Sequence, residues 1–326
     1  MLKLIVRRLL QAIPVLFVIV TFTFFFIRLA PGGPFDEERS VPPEIRERLE
    51  AYYNLDVSLP EQYVDYLGGL ARGDLGPSFR EATFSVNELI ALSLPVSLEL
   101  GFYGLIVALV FGLGAGIIAS LRPNSATDYV PMTLAMTGIC IPNFVLGPIL
   151  VLIFGLWLGW FPVSGWDPLF ETYPVGEGIK FRLRPETLLD AKKVLPSITL
   201  GAMYAAYFAR LCRGGMLEIL SSEFIRTARA KGLSETRVIL RHALRGGLAP
   251  VISFLGPAAA GLMTGSFVVE TIFQIPGLGQ RFVRSAFDRD YTMIMGTVLT
   301  YATLIILFNL IVDLLHLWLD PRLRDA

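Results

Sequence analysis

Long apolar runs separated by short polar segments dominate the hydrophobic pattern of this chain. A helix needs about 20 predominantly apolar residues to cross a bilayer, and these runs are long enough to do so. Backbone inside lipid must satisfy its own hydrogen bonds, so each run is predicted to be helical. The six predicted spans cover residues 9–29, 94–121, 129–159, 194–217, 248–272 and 293–317.

Composition agrees with a membrane protein. Hydrophobic residues make up 54% of the 326 residues and charged residues 17%, whereas soluble domains carry about 25% charged residues. The formal net charge is zero, so the overall charge indicates no class of partner. The first apolar run is too long for the core of a signal peptide and lacks a small-residue cleavage site, so we expect it to be retained as the first span.

The distribution of Lys and Arg predicts how the spans are oriented, because cytoplasmic loops carry an excess of these residues. Lys3, Arg7 and Arg8 precede the first span. Segment 210–247 holds eight Lys or Arg against three Glu, whereas loop 31–92 holds five Arg against twelve Asp or Glu. We therefore predict that both termini and segment 210–247 are cytoplasmic and that loop 31–92 is external.

Two external loops carry further signals. Residues 43–53 and 59–72 have the spacing of short amphipathic helices, and each begins near a proline. The loop at 160–193 is long and mixed in charge, and no role is predicted for it. The predicted division of the chain is an N-terminal span at 1–30, an external helical loop at 31–92, a five-helix transmembrane domain at 93–317 and a cytoplasmic tail at 318–326.

The stretch FIRTARAKGLSETRVILRHAL, residues 224–244, is strongly basic. Ser221 or Ser222 can cap a helix over about 222–231, and Gly232 is placed to end that helix. Charge alone fits three hypotheses: a loop that only fixes orientation, a patch for anionic lipid, or a docking element for a cytoplasmic partner. The capped turn favours docking, because a lipid-binding loop needs no defined shape.

Few residues suit catalysis or metal binding. Cys140 and Cys212 lie in apolar runs, and His242 and His316 are far apart in the sequence. Neither a disulfide framework nor a metal site is therefore predicted. The chain contains no G-x-x-x-x-G-K-[ST] phosphate loop, which indicates that any ATP hydrolysis belongs to another protein.

Polar groups within or beside the spans support two hypotheses, because they are costly in lipid unless they are used. One is a proton relay, as an ion-gradient-driven transporter would need. The other is helix capping and interhelical hydrogen bonding, which is favoured because the groups lie near span ends that water reaches. The GxGxG pattern at 112–116 is expected to serve helix packing. The polar groups are Glu99, Glu270, Asn309 and Asp313.

Several segments resemble one family of transporters. The basic stretch is similar to the cytoplasmic coupling loop of ABC importer permeases, in which Glu-Ala-Ala is followed after three residues by Gly. Here Arg226-Thr227-Ala228 stands in place of that triplet, and Gly232 matches the glycine. The segments that resemble B-type permease subunits of oligopeptide and dipeptide importers include RLAPGGPF, GDLGPSF, LPVSLELG, MTGICIPNF, RTARAKGL, GPAAAGLMTGSFVVETIF, PGLGQRFV and NLIVDLL.

The resemblance implies an all-α integral membrane protein of the type I ABC importer fold. Six transmembrane helices, cytoplasmic termini and a helical extracytoplasmic loop after the first helix are expected. The chain would be a multi-pass permease subunit of the bacterial inner membrane, without catalytic activity, cofactor or metal of its own. Its partners would be a second, C-type permease, two ATPase subunits that carry ATP and Mg²⁺, an extracytoplasmic peptide-binding protein and membrane lipid, with no nucleic acid.

The resemblance also assigns regions of the chain to functions. The translocation pathway is expected between spans three to five and the second permease, where Pro142, Pro148 and Pro257 can kink or break helices. The coupling loop is expected at about 218–247. The residues expected to contact the ATPase are Arg226, Thr227, Ala228, Arg229, Gly232 and Leu233.

Alternatives remain at this point. The same machinery could import another cargo, such as a nickel chelate, glutathione, a murein peptide or a peptide antibiotic. An ion-gradient-driven secondary transporter would instead need a paired acidic relay at mid-membrane and no ATPase partner. A membrane scaffold would have no water-accessible path.

Overall fold

The computed structural model describes residues 2–30, 32–35, 43–175 and 178–319, which are mostly helical. In the first half the helices are α1 (Leu2–Arg28), α2 (Pro43–Tyr52), α3 (Leu59–Ala71), α4 (Val86–Leu121), α5 (Ala126–Cys140) and α6 (Asn143–Leu150). In the second half they are α7 (Val194–Leu220), α8 (Glu223–Ala230), α9 (Glu235–Arg237), α10 (Leu244–Gly247), α11 (Ala249–Met263), α12 (Phe267–Ile272), α13 (Leu278–Phe287) and α14 (Tyr291–Leu319). Two π-helical segments continue these elements, Val151–Trp157 after α6 and Val238–Ala243 after α9.

Long apolar helices account for much of the predicted membrane region. Within the described ranges, three helices are long and apolar enough to cross a membrane: Ile5–Arg28, Val86–Leu121 and Tyr291–Leu314. Two bent helix pairs also qualify, which gives up to five spans if each pair is counted once. The predicted fourth span falls on α7, which has 27 residues and many buried positions. Helices therefore lie at all six predicted apolar segments.

The predicted third span, 129–159, is sharply bent. α5 and the following helix Asn143–Trp157 meet at 112°. Ile141 and Pro142 at the break have extended ψ values of 114° and 145°. The proline ring disfavours the α conformation of the residue before it, so the helix stops there. The expectation that Pro142 breaks this span is confirmed.

The predicted fifth span, 248–272, is divided in two. α11 ends at Met263, and Gly265 then adopts a φ of +81°. Glycine enters this left-handed region readily because it has no Cβ. α12 begins after Ser266, whose hydroxyl accepts a hydrogen bond from the Val269 amide at 3.4 Å. Glu270 therefore lies on a separate short helix rather than at the end of a continuous span.

α7 lies at the centre of the helix packing and runs against α4. A Cβ atom at Gly112 would lie 2.6 Å from the Ala205 carbonyl oxygen, and one at Gly116 would lie 2.6 Å from that of Ala209. Glycine at these two positions lets the backbones of the helices approach closely. Gly112 and Gly116 thus serve helix packing, as expected, whereas a Cβ atom at Gly114 would meet no atom within 4 Å.

The loop after α1 forms the two predicted short helices, α2 and α3. The Tyr63 and Thr21 hydroxyls hydrogen bond at 2.6 Å, which joins α3 to α1. The Arg28 guanidinium lies 3.5 Å from the centre of the Phe24 ring and donates to the Gln62 side chain at 3.3 Å. The cation–π contact orients the Arg28 side chain within α1, and the hydrogen bonds from Thr21 and Arg28 attach α3 to α1.

A β-hairpin that was not predicted lies within the 160–193 loop. Its strands, β1 (Phe170–Val175) and β2 (Gly178–Leu183), pair antiparallel. β-branched and aromatic residues such as Thr172 and Phe181 favour this extended conformation. The loop therefore has a defined structure of its own.

Two ion pairs hold this loop in place. The buried Glu99 carboxylate accepts a hydrogen bond from Lys193 Nζ at 2.5 Å and another from the Leu169 amide at 2.9 Å. Lys192 Nζ donates to the Asp167 carboxylate at 2.5 Å, and this hydrogen bond holds the pKa of Asp167 below its usual value. The first pair attaches the loop to α4.

Candidate functional site

The basic stretch folds as a short helix followed by a turn. Ser222 is the N-cap residue of α8 and has the extended backbone expected there. Glu223 lies in the first turn and Arg229 in the last, where each charge complements the helix dipole. Gly232 follows with a φ of +77°, and its amide donates to the Arg229 carbonyl at 2.9 Å. The predicted helix and terminating glycine are confirmed, whereas the predicted serine cap is not: the Ser222 hydroxyl donates to the Ile219 carbonyl at 2.6 Å and accepts no hydrogen bond from an amide of α8.

One face of α8 is buried against the rest of the protein. Ile225 and Ala228 are 0% and 8% exposed. They belong to a core cluster that includes Met216 of α7 and Val238 of the π-helical segment. Leu233 is half-buried and packs against the same cluster. α8 is therefore fastened to the long helices by apolar contacts.

The opposite face of α8 is exposed and charged. The Arg226 guanidinium lies 2.6 Å from Glu223. Arg229 forms a two-point contact with Glu235, at 2.8 and 3.2 Å, which bridges the turn at Gly232. We call this contact the Arg229–Glu235 clip. It is surface-exposed, so its effect is to restrict the shape of the turn more than to stabilise the fold.

The six residues expected to contact an ATPase thus fall into two groups. Arg226, Thr227, Arg229 and Gly232 are exposed, whereas Ala228 faces the core and Leu233 is half-buried. The sequence analysis assigned no role to Phe224, whose ring is 50% exposed on the same surface. The sequence did contain a signal for Phe224, because a large apolar residue stands there next to the helix face that the structure buries.

The segment after the turn leads directly into α11. Residues Glu235–Gly247 form helical structure that meets Ala249–Met263 at 53°. Gly247 at this bend is buried, and a Cβ there would lie 2.7 Å from the Met216 sulfur of α7. The segment that follows α8 therefore contacts both α7 and α11. A displacement of α8 is expected to be transmitted to both helices through this segment.

An open apolar groove lies on the surface between α4, α5 and α7, where Phe111 and Leu134 are 62% and 68% exposed. Its volume is about 490 Å³, and Phe111, Ala115, Leu134 and Ala202 are among the residues that line it. Two of these helices, α5 and α7, are the predicted third and fourth spans, which were expected to border the translocation pathway.

Buried polar groups around Glu270 join three helices to one another. The buried Glu270 carboxylate accepts hydrogen bonds from Ser97 Oγ at 2.8 Å and from the Gln280 amide at 2.7 Å. The Ser97 hydroxyl also accepts from the Leu278 amide at 2.8 Å. These bonds join α4, α12 and α13, so the Glu270 contacts are those of an interhelical hydrogen-bonding group.

Comparison with known families shows to which protein family the chain belongs. Residues 112–325 match the family described as "Binding-protein-dependent transport system inner membrane component". Residues 1–85 match the N-terminal region described for the membrane component of such systems. The chain belongs to this permease family.

Relatives of this permease are similar over nearly their whole length. It is 48% identical to the oligopeptide transport system permease protein OppB of Escherichia coli K12, over 99% of this chain and 100% of that one. OppB of Haemophilus influenzae is 47% identical with the same coverage. The dipeptide transport system permease protein DppB of Bacillus subtilis is 42% identical, over 94% of this chain and 93% of that one.

The permease fold also matches a solved structure. An inward-facing structure of the MetNI methionine ABC transporter aligns with a TM-score of 0.54 and 17% identity, over 71% of this chain and 96% of that one. The chain therefore has the fold of an ABC transporter permease and is a multi-pass protein of the inner membrane. The expected family and location are confirmed.

Proposed function

We propose that this permease is the B-type subunit of an ATP-driven importer of oligopeptides or dipeptides. The observation that carries the proposal is 48% identity to an oligopeptide permease protein over the whole of that relative. The dipeptide relative is 42% identical, so a peptide backbone is the chemistry that both named cargos share.

The complex that we propose has five parts. A second, C-type permease completes the pathway, and two ATPase subunits bind ATP and Mg²⁺ on the cytoplasmic side. An extracytoplasmic peptide-binding protein delivers the cargo. The absence of a phosphate loop from the sequence supports a non-catalytic role for this subunit.

The topology that we propose has six crossings, with both termini cytoplasmic. The division into 1–30, 31–92, 93–317 and 318–326 is retained, with the coupling loop at about 218–247. Support comes from the helices at all six apolar segments and from the excess of Lys and Arg in segment 210–247.

Coupling to ATP hydrolysis is proposed to pass through α8. The exposed residues Arg226, Thr227, Arg229 and Gly232 would lie against the ATPase, while Ala228 and Leu233 would transmit its movement to the core. ATP binding would draw the two ATPase subunits together and shift the permease between inward-open and outward-open states.

Native mass spectrometry of the gently solubilised complex tests this assembly. One copy of this chain with a different permease and two nucleotide-binding subunits is expected. A lone chain or a homodimer, in conditions that preserve a known ABC importer, would refute it. Uptake of labelled di- to pentapeptides by vesicles that contain the complex and its binding protein then tests the cargo, and uptake of only a non-peptide cargo would refute peptide import.

A further inference from the structure

Phe224 is exposed on a helix that already has a buried apolar face. Ile225 and Ala228 fill the core contact of α8, whereas half of the Phe224 surface is accessible to solvent. The neighbouring residues Glu223, Arg226 and Thr227 are also exposed. A phenyl ring thus stands among charged and polar groups on the outer surface of the proposed coupling helix.

The two arginines of α8 already have partners within the chain. Arg226 is paired with Glu223 at 2.6 Å, and Arg229 is held in the clip with Glu235. An ATPase that bound these guanidinium groups directly would have to compete with those carboxylates. The Phe224 ring can be bound without displacing such a carboxylate. Burying its apolar surface on binding is favourable by roughly 25 cal/mol per Å².

The surroundings of the ring favour a protein rather than a membrane as its partner. A helix that lies on lipid turns its apolar face outward, but α8 turns Ile225 and Ala228 into the core. Residues 222–241 contain five Lys or Arg and two Glu. Lys231, Arg237 and Arg241 are exposed and remain to attract an acidic surface. The complementary partner is an apolar pocket with an acidic rim.

We infer that Phe224 is the apolar anchor that inserts into such a pocket on the ATPase subunit. The Arg229–Glu235 clip and the turn at Gly232 hold α8 in the orientation that presents the ring. Aromatic side chains are enriched in the buried centre of protein interfaces. This inference rests on the proposed function, because it assumes that α8 meets an ATPase, and it adds a specific anchor residue to that contact.

The affinity of the purified ATPase subunit for the full permease pair in nanodiscs tests this inference. Phe224→Ala is expected to weaken binding about 30-fold, which corresponds to an interface anchor of about 2 kcal/mol at 1.4 kcal/mol per tenfold. Phe224→Leu should retain most of the affinity because it retains apolar bulk. The midpoint of thermal unfolding should not change, since the ring is half-exposed and the core residues are untouched.

Phe287→Ala is the matched control. Phe287 is 75% exposed at the end of α13, which the proposed topology places outside the membrane, so ATPase affinity should not change. Wild-type affinity in Phe224→Ala would overturn the anchor while leaving the proposed function intact. A loss that appears only in nanodiscs with anionic lipid, and not in neutral ones, would assign the ring to the membrane and also overturn it. If the wild-type permease pair binds no ATPase, the proposed function itself fails.

Discussion

Three acidic residues, Glu99, Asp313 and Glu270, each join separate parts of the chain. Glu99 pairs with Lys193 at the end of the 160–193 loop, and Asp313 of α14 lies 2.8 Å from Arg8 of α1. Glu270 receives hydrogen bonds from α4 and from the start of α13. Such contacts are those of groups that link helices, which is the hypothesis that the sequence analysis favoured over a proton relay.

Glu99→Gln is expected to destabilise the protein. The substitution leaves the Lys193 ammonium buried without a counter-charge, and breaking a buried pair in this way costs about 3–5 kcal/mol of unfolding free energy. Thermal unfolding in detergent should therefore show a clearly lower midpoint. The double variant Glu99→Leu/Lys193→Met should recover much of the loss, because it removes both charges.

Glu186→Gln provides the control for this prediction. Glu186 belongs to the same 160–193 loop and pairs with Arg184 at 3.1 Å, but its side chain is 63% exposed. Water screens such a pair, so its loss should leave the midpoint unchanged. Equal midpoints for Glu99→Gln and Glu186→Gln would show that the buried pair does not stabilise the loop.

At the scale of elements, α8 combines a fixed position with an accessible surface. Its apolar face packs against α7 and the π-helical segment, and the turn after it is bridged by the Arg229–Glu235 clip. The same segment continues into α11 through a 53° bend. Because these contacts already hold α8 in a fixed position, a displacement imposed on it can be transmitted to α11 without a prior ordering step.

Gly232→Trp is expected to abolish transport while the protein still folds. A Cβ atom at this position would meet no other atom of the protein within 4 Å, and an indole ring attached there is expected to project into the space that the proposed ATPase occupies. Peptide uptake in vesicles and co-purification of the ATPase subunits should both be lost. Thermal unfolding should change only slightly.

Gly232→Ala separates the effect of bulk from that of backbone strain. The φ of +77° disfavours any residue with a Cβ, at a cost of roughly 1 kcal/mol, and alanine carries this cost without the ring. Transport should largely survive in Gly232→Ala. If both variants lose transport equally, the turn itself and not the contact surface is what the glycine provides.

At the scale of the whole molecule, basic and acidic surfaces are segregated along the chain. Loop 31–92 is acidic and segment 210–247 is basic. In the proposed topology this asymmetry orients the protein during insertion and gives the two sides of the membrane different partners.

Protease added to the outside of spheroplasts is expected to cut within residues 36–72 and to leave 222–245 intact. The reason is the proposed orientation, which exposes the loop after α1 to the outside and shields α8 in the cytoplasm. Fragments can be mapped by mass spectrometry. Permeabilised cells are the control, because cleavage within 222–245 should appear there, and cleavage of that segment in intact spheroplasts would reverse the topology.

Several features of the fold and the site followed from local pattern. The apolar runs lie at the long helices, Gly232 follows the end of α8, and Pro142 breaks the third predicted span. Each of these depends on the residues immediately around it, through hydrogen bonding of the backbone in lipid, the left-handed conformation that glycine permits or the steric effect of a proline ring. The sequence therefore determined where helices lie and where α8 begins and ends.

Other features required contacts between residues far apart in the chain. The pattern showed that Ile225 and Ala228 share a face of α8, but only Met216 and Val238 decide that this face is buried and that Phe224 is left outside. The partner of Glu99 lies 94 positions away. Burial and charge pairing depend on which surfaces meet after folding, so tertiary structure alone decided which residues of the proposed coupling loop are accessible to a partner.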